Sequence, residues 1–255
     1  MTVYPVLKFL QTCGKIFNDT FVDVGAYEGY YACKLASLFK NVIAIEANPV
    51  AVAKLSINAH KYNIKNMKIL PVGVSDKCEE SIMYDRDKWS TFIPVSNAKN
   101  IYKVKLYDLN TLLKDCNKID LIKFDIEAYE EKAIKGGLEV INKHKPIMVI
   151  EHHEYRGYKE ALGMRERIKR LLNEYESFYL NGIHWAYIPK HIDIDKISPL
   201  LAIIWFEKVY RNFESGKPWY YGLPEKWWWG LNHVEFMYKF PTVKLSSEWF
   251  KSPEP

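Results

Sequence analysis

The sequence predicts an α/β protein whose mostly parallel, seven-stranded sheet carries helices on both faces and ends in an antiparallel hairpin. Short apolar runs rich in β-branched residues alternate with amphipathic segments from about residue 20 to residue 175. Near-continuously apolar strands with helices between them are typical of a parallel sheet that is covered on both faces. A further pair of alternating segments meets at Asn181–Gly182, a dipeptide that strongly favours a tight hairpin turn.

This alternation places the core strands and helices in order along the chain. The predicted strands are Thr20–Val24, Asn41–Glu46, Met67–Val72, Ile119–Asp125 and Ile147–His152. The predicted helices are Tyr30–Phe39, Val50–Tyr62, Tyr129–Ile141 and Lys159–Tyr175. Pro49 fits the first turn of the second helix, where its missing N–H does no harm. Two extended segments, residues 81–94 and 101–109, are inserted between the third and fourth core strands.

We expect two parts in the chain, an α/β domain over residues 1–195 and an aromatic-rich extension over 196–255 that packs on it. After the hairpin the regular pattern fades into an apolar helix over Leu200–Phe213 and a tryptophan-rich tail. Five of the eight tryptophans lie between Trp219 and Trp249. Such a density indicates a core or a contact between subunits, a stacking platform for a flat ligand, or, with the least support, a membrane surface.

The composition is that of an ordinary soluble protein, with 48% hydrophobic and 26% charged residues and a formal net charge of +5. Glutamates interrupt and follow the dense basic cluster Arg165–Arg170, so we interpret it as a solvated helix face and expect no nucleic-acid partner. The four cysteines are scattered without a C-x-x-C pair, and no signal peptide is recognisable. We therefore expect reduced thiols and a cytoplasmic location. No uncharged apolar run approaches the roughly 20 residues that a transmembrane helix needs.

The loop after the first strand has the pattern D-x-G-x-x-x-G, formed by Asp23, Gly25 and Gly29. A dinucleotide-binding loop has the pattern G-x-G-x-x-G, in which the second glycine lets the backbone approach a pyrophosphate. Tyr27 holds that position here, and Glu28 adds a carboxylate where phosphate charges would rest. A ligand that carries an ammonium and a sulfonium suits this loop better, which favours S-adenosylmethionine over NAD.

Two further strand ends are compatible with an adenosine ligand. Glu46 ends the second strand, 23 residues after Asp23, and can accept hydrogen bonds from both ribose hydroxyls. Residues 72–76, "VGVSD", end the third strand with small residues and an acid that can flank an adenine ring and receive its amino group. Each acid alone is as consistent with a helix cap or a surface charge, but three such loops at consecutive strand ends indicate a nucleoside cofactor.

Three blocks of the chain resemble the FkbM family of S-adenosylmethionine-dependent methyltransferases: "DVGAYEGYYACKLA", "VIAIEANPVAVAKLSINAHKYNIKN" and "IDLIKFDIEAYEEKAIKGG". The resemblance covers about Phe21 to His153. It implies a Rossmann-like class I methyltransferase fold, S-adenosylmethionine as the cofactor, and O-methylation of a hydroxyl on a carbohydrate or a small metabolite. Tyr27 and Ala128 depart from the family pattern, which usually has asparagine and glycine at these positions.

On this basis a set of residues from the first, second, third and fourth strand ends is predicted to bind the cofactor. These residues are Asp23, Gly25, Ala26, Tyr27, Gly29, Glu46, Asn48, Ser75, Asp76 and Asp125.

The ends of the fourth and fifth strands carry the candidates for the chemistry. An extended "LIKFDIE" puts Lys123, Asp125 and Glu127 on one side of the fourth strand. In "VIEHHEY", Glu151 and His153 share one side of the fifth strand, and the histidine between them faces the other side. A buried lysine ammonium needs a partner, for which Glu151 and Asp125 are the natural choices.

An alcohol that accepts a methyl group must also lose its proton, so a base is expected near it. We predict Asp125, Glu127 and His153 as the catalytic residues, with Asp125 on the cofactor or acceptor side and His153 or Glu127 as the base. A metal is not part of this prediction. The alternative is a Mg²⁺ or Mn²⁺ ion held by Asp125, Glu151 and one histidine, with His152 as the candidate, which would acidify the acceptor hydroxyl.

The predicted partner is a small-molecule or glycan acceptor, and the tryptophan-rich region between Trp219 and Trp249 is a candidate surface for homo-oligomers. Two other functions stay open at this point. One is an RNA methyltransferase, which would bind RNA with a strong dependence on salt. The other is a protein of the same fold that binds the cofactor or a partner without catalysis, for which the departures at Tyr27 and Ala128 give some support.

Overall fold

The computed structural model describes residues 4–86, 89–193, 195–201, 203 and 204, and in this part of the chain helices and strands alternate. The helices are α1 (Tyr4–Ile16), α2 (Tyr30–Leu35), α3 (Pro49–Lys61), α4 (Leu109–Leu113), α5 (Glu130–Lys135), α6 (Leu138–His144) and α7 (Met164–Leu171). The strands are β1 (Thr20–Val24), β2 (Asn41–Ile45), β3 (Met67–Leu70), β4 (Gly73–Val74), β5 (Glu79–Asp85), β6 (Ser90–Thr91), β7 (Asn100–Tyr107), β8 (Leu121–Phe124), β9 (Ile147–Glu151), β10 (Tyr175–Asn181) and β11 (His184–Pro189).

A seven-stranded sheet forms the centre of the molecule, in the order β10-β11-β9-β8-β1-β2-β3. The strands from β9 to β3 pair in parallel, whereas β11 is antiparallel to both of its neighbours. The chain reverses between β10 and β11 at residues 182 and 183, one residue later than the Asn181–Gly182 turn that the sequence predicts, because Asn181 still pairs with His184. The predicted sheet, with its parallel core and antiparallel hairpin, is confirmed.

Helices cover both faces of this sheet. Successive strand residues point to opposite sides and therefore pack against different helices. On β1, Phe21 belongs to a core cluster with residues of α1, α2 and α3. The next residue, Val22, belongs to a second cluster with residues of α4, α5, α6 and α7. The near-continuous apolar character of the central strands follows from this double cover.

The inserted segments form a second sheet of four strands, in the order β4-β7-β5-β6. Their extended conformation is confirmed, but the end of the predicted third core strand is not where the sequence places it. The β3 strand ends at Leu70, and Gly73–Val74 instead pairs with β7. Gly73 is suited to this crossing point because a Cβ there would lie 2.4 Å from Leu106 and 2.7 Å from Phe92.

Glycines also divide two of the predicted helices. The predicted helix Tyr129–Ile141 is interrupted at Gly136 and Gly137, which separate α5 from α6. A Cβ on Gly136 would lie 2.3 Å from the carbonyl oxygen of Ser75, so this contact requires a glycine. The predicted helix Lys159–Tyr175 begins as a short 3₁₀ turn and is broken at Gly163, which has a φ of +68°, before α7 starts.

The C-terminal extension is described only at its beginning. Residues 195–201 and 203–204 are helical, and Ile197, Leu200, Ile203 and Ile204 are buried in the cluster that contains α1. The rest of the predicted helix Leu200–Phe213 and the tryptophan-rich tail lie outside the described residues. Across the ranges that are described, no helix has both the length and the apolar character that crossing a bilayer requires.

Candidate functional site

A cavity lies where the main sheet meets the second sheet, at the carboxyl ends of β1, β2 and β8. Ligands of open parallel sheets bind at this edge. The loops of the main sheet contribute Gly25, Tyr27, Glu46, Ala47, Asp125 and Glu127 to its lining. The second sheet and the segment that leads into it contribute Val72, Gly73, Val74, Met83, Trp89, Ser90 and Phe92. The main-sheet side also includes Val24, Ile45 and Ile126, so its three carboxylates lie among apolar residues, and the side of the second sheet is mainly apolar.

The glycines of the first loop let the backbone press against its neighbours. Gly25 has a φ of +82°, and a Cβ on it would lie 1.8 Å from the carbonyl oxygen of Asp125. Gly29 has a φ of +88°, and a Cβ on it would lie 2.3 Å from Leu55. Ala26 is buried between them, and its N–H donates to the Ile45 carbonyl at 3.0 Å. The loop is therefore fixed between the end of β8 and α3.

Two residues of α3 hold this loop in place. Leu55 packs against Gly29, and Asn58 Nδ2 donates to the Glu28 carbonyl at 2.8 Å. The Glu28 carboxylate forms an ion pair of 2.6 Å with Lys54. Glu28 does not line the cavity. Its carboxylate therefore does not occupy the place of a ligand phosphate, contrary to the expectation from the sequence.

Glu46 joins the first two loops through both of its oxygens. Oε2 accepts the Tyr27 N–H at 2.7 Å, and Oε1 accepts the Asn48 N–H at 2.8 Å. Burial raises the pKa of Glu46, while these backbone hydrogen bonds oppose the rise. Because a carboxylate oxygen has two lone pairs, Glu46 can accept further hydrogen bonds from a ligand in the cavity.

The two departures from the family pattern share one backbone property. Tyr27 has a φ of +49° and Ala128 a φ of +77°, and both lie in the left-handed region. Asparagine and glycine, the usual residues of the family here, are the types that adopt this region most readily. Both loops thus have the left-handed turns that suit the family's residues, although this chain has other side chains there.

Six of the ten predicted cofactor residues lie outside the cavity lining: Asp23, Ala26 and Gly29 lie behind the first loop, and Asn48, Ser75 and Asp76 lie further away. Asn48 caps α3, because its Oδ1 accepts the Val50 N–H at 2.9 Å, and its Nδ2 donates to Ser90 Oγ at 3.0 Å. Ser75 is buried and Asp76 is exposed beyond β4. The premature end of β3 explains this placement, since the chain turns into the second sheet before it reaches the two residues.

A buried ion pair network connects β1 and β8 beneath the cavity. Asp23 accepts the Ala32 N–H at 3.1 Å, and its Oδ1 lies 3.6 Å from Lys123 Nζ. Lys123 also donates to Asp125 at 3.2 Å, and its ammonium lies 4.8 Å from the centre of the Tyr31 ring. Burial raises the pKa of Asp23 to about 6, although Lys123 opposes the rise. Burial disfavours the charge on Lys123, but Asp125 and Asp23 outweigh it and raise the pKa of this lysine.

His153 is fully buried at the centre of a group of carboxylates that we call the His153 cluster. Its Nδ1 lies 2.8 Å from Glu130 Oε1. Its Nε2 lies 3.2 Å from Glu151, 3.4 Å from Glu127 and 3.8 Å from Asp125. Burial alone would lower the pKa of His153, but the carboxylates, Glu130 first among them, raise it well above the ordinary value. An imidazolium has no lone pair with which to accept a proton, so in this state His153 holds the carboxylates together.

Glu151 contacts histidines, whereas the sequence also offers it as a partner of Lys123. Its Oε1 faces His153, and its Oε2 lies 2.9 Å from His184 Nε2. Burial opposes its ionisation, but the hydrogen bonds to His153 and His184 outweigh that effect and lower the pKa of Glu151.

His152 does not join Asp125 and Glu151, so the predicted alternative set of metal ligands is not brought together. Its Nε2 lies 3.1 Å from the Tyr187 hydroxyl, on the other side of β9. Burial, assisted by the charge of Arg165, lowers the pKa of His152 to about 3. The alternation of side chains along a strand explains why His153 and not His152 faces the carboxylates.

Several residues of the site could not be identified from the sequence. Glu130, which holds Nδ1 of His153, appears in the sequence only as an acid in the first turn of a helix. Trp89 and Phe92 line the cavity, but the sequence shows only that they belong to an extended insertion. Thr91, between them, donates from Oγ1 to the Glu127 carbonyl at 2.9 Å. The available signal was the density of aromatic residues in "KWSTFIP", which does not show which neighbour they face.

Solved structures share this fold at low sequence identity. The FkbM methyltransferase of Methylobacillus flagellatus is 17% identical with a TM-score of 0.50, and the match covers 67% of this chain and 43% of that one. An rRNA methylase from Streptococcus thermophilus is 13% identical, with a TM-score of 0.44 and coverage of 73% and 94%. A protein from Streptococcus mutans in complex with SAH is 14% identical, with a TM-score of 0.45 and coverage of 73% and 99%. No curated protein matches the sequence.

The sequence itself matches a family. The methyltransferase FkbM domain matches residues 23–180, which is more than half of the 255 residues and contains the end of β1, all of β8 and β9, and the loops of the cavity. The order and directions of the seven strands are those of the class I methyltransferase fold that the Methylobacillus protein also has. The chain therefore belongs to the FkbM family of methyltransferases.

Proposed function

We propose that this protein is an S-adenosylmethionine-dependent O-methyltransferase that acts on a hydroxyl of a carbohydrate or of another small metabolite. The observation that carries the proposal is the convergence of Glu46, from the end of β2, with Asp125 and Glu127, from the end of β8, on one cavity with a mainly apolar opposite wall. Carboxylates suit the ribose hydroxyls, the ammonium and the sulfonium of the cofactor, and apolar residues suit its adenine ring.

In this proposal the cofactor lies along the loops of the main sheet. Glu46 accepts hydrogen bonds from the ribose, while Gly25 and Tyr27 border the methionine part. Asp125 faces the cofactor ammonium or the acceptor. The apolar wall, which includes Trp89, packs against the adenine ring. Asp23, Ala26 and Gly29 act from behind the lining by fixing the first loop.

Methyl transfer from a sulfonium is an in-line displacement, so the protein must align the acceptor oxygen, the methyl group and the sulfur. Glu127 is the proposed base, because it lines the cavity and its side chain keeps 13% exposure. Burial of His153 beneath Glu127 and Asp125 gives this histidine the role of holding both carboxylates in place.

The experiment that tests cofactor binding compares two glutamates of adjacent loops. Glu46→Gln should weaken the binding of S-adenosylhomocysteine about tenfold to a hundredfold, because a hydrogen bond to a charged group is worth about 1.5–3 kcal/mol. Glu28→Gln is the matched control, since Glu28 pairs with Lys54 outside the cavity, and it should leave affinity within about twofold. Calorimetry measures both, and equal affinities in the two variants would show that the cofactor lies elsewhere.

The chemical step is tested separately with a labelled methyl group. Glu127→Gln should retain affinity for S-adenosylhomocysteine and lose most of the methyl transfer to a panel of hydroxylated acceptors. Transfer to no acceptor by the wild-type protein, with the cofactor bound, would favour the non-catalytic alternative. The carboxylates at the cavity disfavour an RNA acceptor, whose phosphates they would repel. An RNA affinity that is weak and does not depend on salt concentration would agree with this.

The remaining parts of the proposal concern the chain as a whole. We propose that residues 1–195 are the catalytic domain and that 196–255 pack on it, which the burial of Ile197 and Leu200 in the α1 cluster supports. A contact between copies through the region of Trp219 to Trp249 and a cytoplasmic location belong to the same proposal. The four unpaired thiols are what a reducing compartment favours.

A further inference from the structure

The His153 cluster has the composition and the spacing of a metal-binding site. Asp125, Glu127 and His153 each offer one ligand atom, and these atoms all lie within 4.8 Å of one another. His153 Nε2 is 3.4 Å from Glu127 Oε2 and 3.8 Å from Asp125 Oδ1. Two ligands bound at about 2.1–2.2 Å to one ion are about 3.0–3.6 Å apart at tetrahedral or octahedral angles. We propose that these three residues bind one divalent transition-metal ion of the Mn²⁺ type.

The far side of the imidazole is arranged as in metal-bound histidines. A ligating histidine usually donates its other ring N–H to a carboxylate, which fixes the tautomer and the orientation of the ring. His153 Nδ1 lies 2.8 Å from Glu130 Oε1, and that oxygen also accepts the Ile126 N–H at 3.1 Å. Glu130 is fully buried, so this arrangement is held by the interior of the protein and presents Nε2 to the other carboxylates.

The balance of charge also favours a bound cation. Four carboxylates, those of Asp125, Glu127, Glu130 and Glu151, lie within 4 Å of the imidazole ring of His153. Their basic neighbours also include Lys123, which contacts Asp125 at 3.2 Å, and His184, which contacts Glu151 at 2.9 Å. The buried Oε2 of Glu130 has no hydrogen-bond partner among the residues that the structure describes. Negative charge in excess of its partners is costly in the interior, and an ion at Nε2 would lie beside it. The cluster is also accessible, because the Asp125 side chain is 30% exposed and lines the cavity.

The donor set selects the kind of ion. An imidazole nitrogen with two carboxylates suits Mn²⁺ and similar ions, whereas Mg²⁺ and Ca²⁺ take oxygen ligands. Three protein ligands leave positions for an acceptor hydroxyl, whose pKa an ion would lower. That role rests on the proposed methyl transfer, in which Glu127 would bind the ion through Oε2 and take the proton on Oε1. The binding site itself does not depend on it.

The test measures Mn²⁺ binding without any enzymatic reaction. The full chain, stripped of metal with a chelator, is titrated with Mn²⁺ alone, and the electron paramagnetic resonance signal of the free ion is followed. One ion per chain should bind, and Glu127→Gln, Asp125→Asn and His153→Gln should each weaken binding more than about tenfold. Glu139→Gln, at an exposed carboxylate of α6 outside the cluster, is the control and should bind as the wild type does.

Melting curves of the metal-free proteins identify any variant that fails to fold, and the two carboxylate variants keep the test open if His153→Gln does. Absence of Mn²⁺ binding by the wild type, or equal binding by the wild type and Glu127→Gln, would overturn the proposal. Calorimetry with S-adenosylhomocysteine on the same samples reports the cofactor site independently, so the loss of one proposal is distinguishable from the loss of the other.

Discussion

Replacement of Lys123 by methionine removes the cation from the buried network between β1 and β8. The substitution keeps the length and the apolar stem of the side chain, so it leaves little empty volume. It leaves Asp23, which is fully buried, without the ammonium that lies 3.6 Å from its Oδ1. Breaking a buried pair by removing one partner costs about 3–5 kcal/mol, because the other charge stays uncompensated.

This cost must depend on pH, and its sign follows from Asp23. Burial already raises the pKa of Asp23 to about 6, and loss of Lys123 raises it further. When the pKa of a carboxyl is higher in the folded than in the unfolded protein, the free energy of unfolding falls as pH rises from the unfolded to the folded pKa. The slope is about 1.4 kcal/mol per pH unit. In the wild type this loss is complete a little above pH 6, whereas in the variant it continues to higher pH.

Urea denaturation at pH 6 and pH 8 measures the effect. Lys123→Met should cost about 3–5 kcal/mol at pH 8 and up to about 2–3 kcal/mol less at pH 6. Lys103→Met is the control, because Lys103 and Glu80 pair at the surface at 2.6 Å with side chains that are 70% and 56% exposed, so it should leave the free energy of unfolding nearly unchanged at either pH. The reasoning is refuted if Lys123→Met costs as little as the control, or costs the same at both pH values.

Three further substitutions test the loops of the cavity. Gly25→Ala should destabilise the protein by about 3 kcal/mol or more, because the backbone at this residue is left-handed and the added Cβ would overlap the Asp125 carbonyl oxygen. Gly157→Ala, at a φ of +73° in open space, should cost only about 1–2 kcal/mol in the same urea titration, and equal costs would exclude the overlap. Thr91→Val removes the hydrogen bond to the Glu127 carbonyl and should lower kcat while leaving affinity for S-adenosylhomocysteine nearly unchanged; an unchanged kcat would show that this contact from β6 does not affect catalysis. Trp89→Ala should weaken that affinity about tenfold and Trp89→Phe much less, whereas equal effects would argue against an aromatic wall at the adenine.

The fold could be predicted in its main features because they depend on local patterns. Apolar runs interrupted by amphipathic segments define parallel strands and their covering helices, and Asn181–Gly182 defines the hairpin. The second sheet could not be predicted as such, because extended segments do not show which strand they pair with. The breaks at Gly136 and Gly163 were also missed, since a single glycine is tolerated in a helix and only the tertiary contact or turn excludes continuation.

The candidate site shows the same division. Gly25, Tyr27, Glu46, Asp125 and Glu127 follow strands directly, so topology alone brings them to one edge of the sheet, where they line the cavity. Their classification as ligand-binding residues stays a prediction. What the sequence could not provide was the environment of each histidine. His153 is surrounded by carboxylates that come from β8, α5 and β9, and a contact with Glu130 depends on how α5 packs.

The second sheet leaves and rejoins the main domain at neighbouring points. Gly73 and Val74, where the excursion starts, pair in parallel with Leu106 and Tyr107, where it ends. The segment between them can therefore lengthen, shorten or be exchanged without separating β3 from the strands that carry Glu46 and Asp125. A chimera that carries another family member's residues 75–105 would thus replace most of one wall of the cavity, with Trp89, and the Thr91 contact to Glu127 in a single exchange.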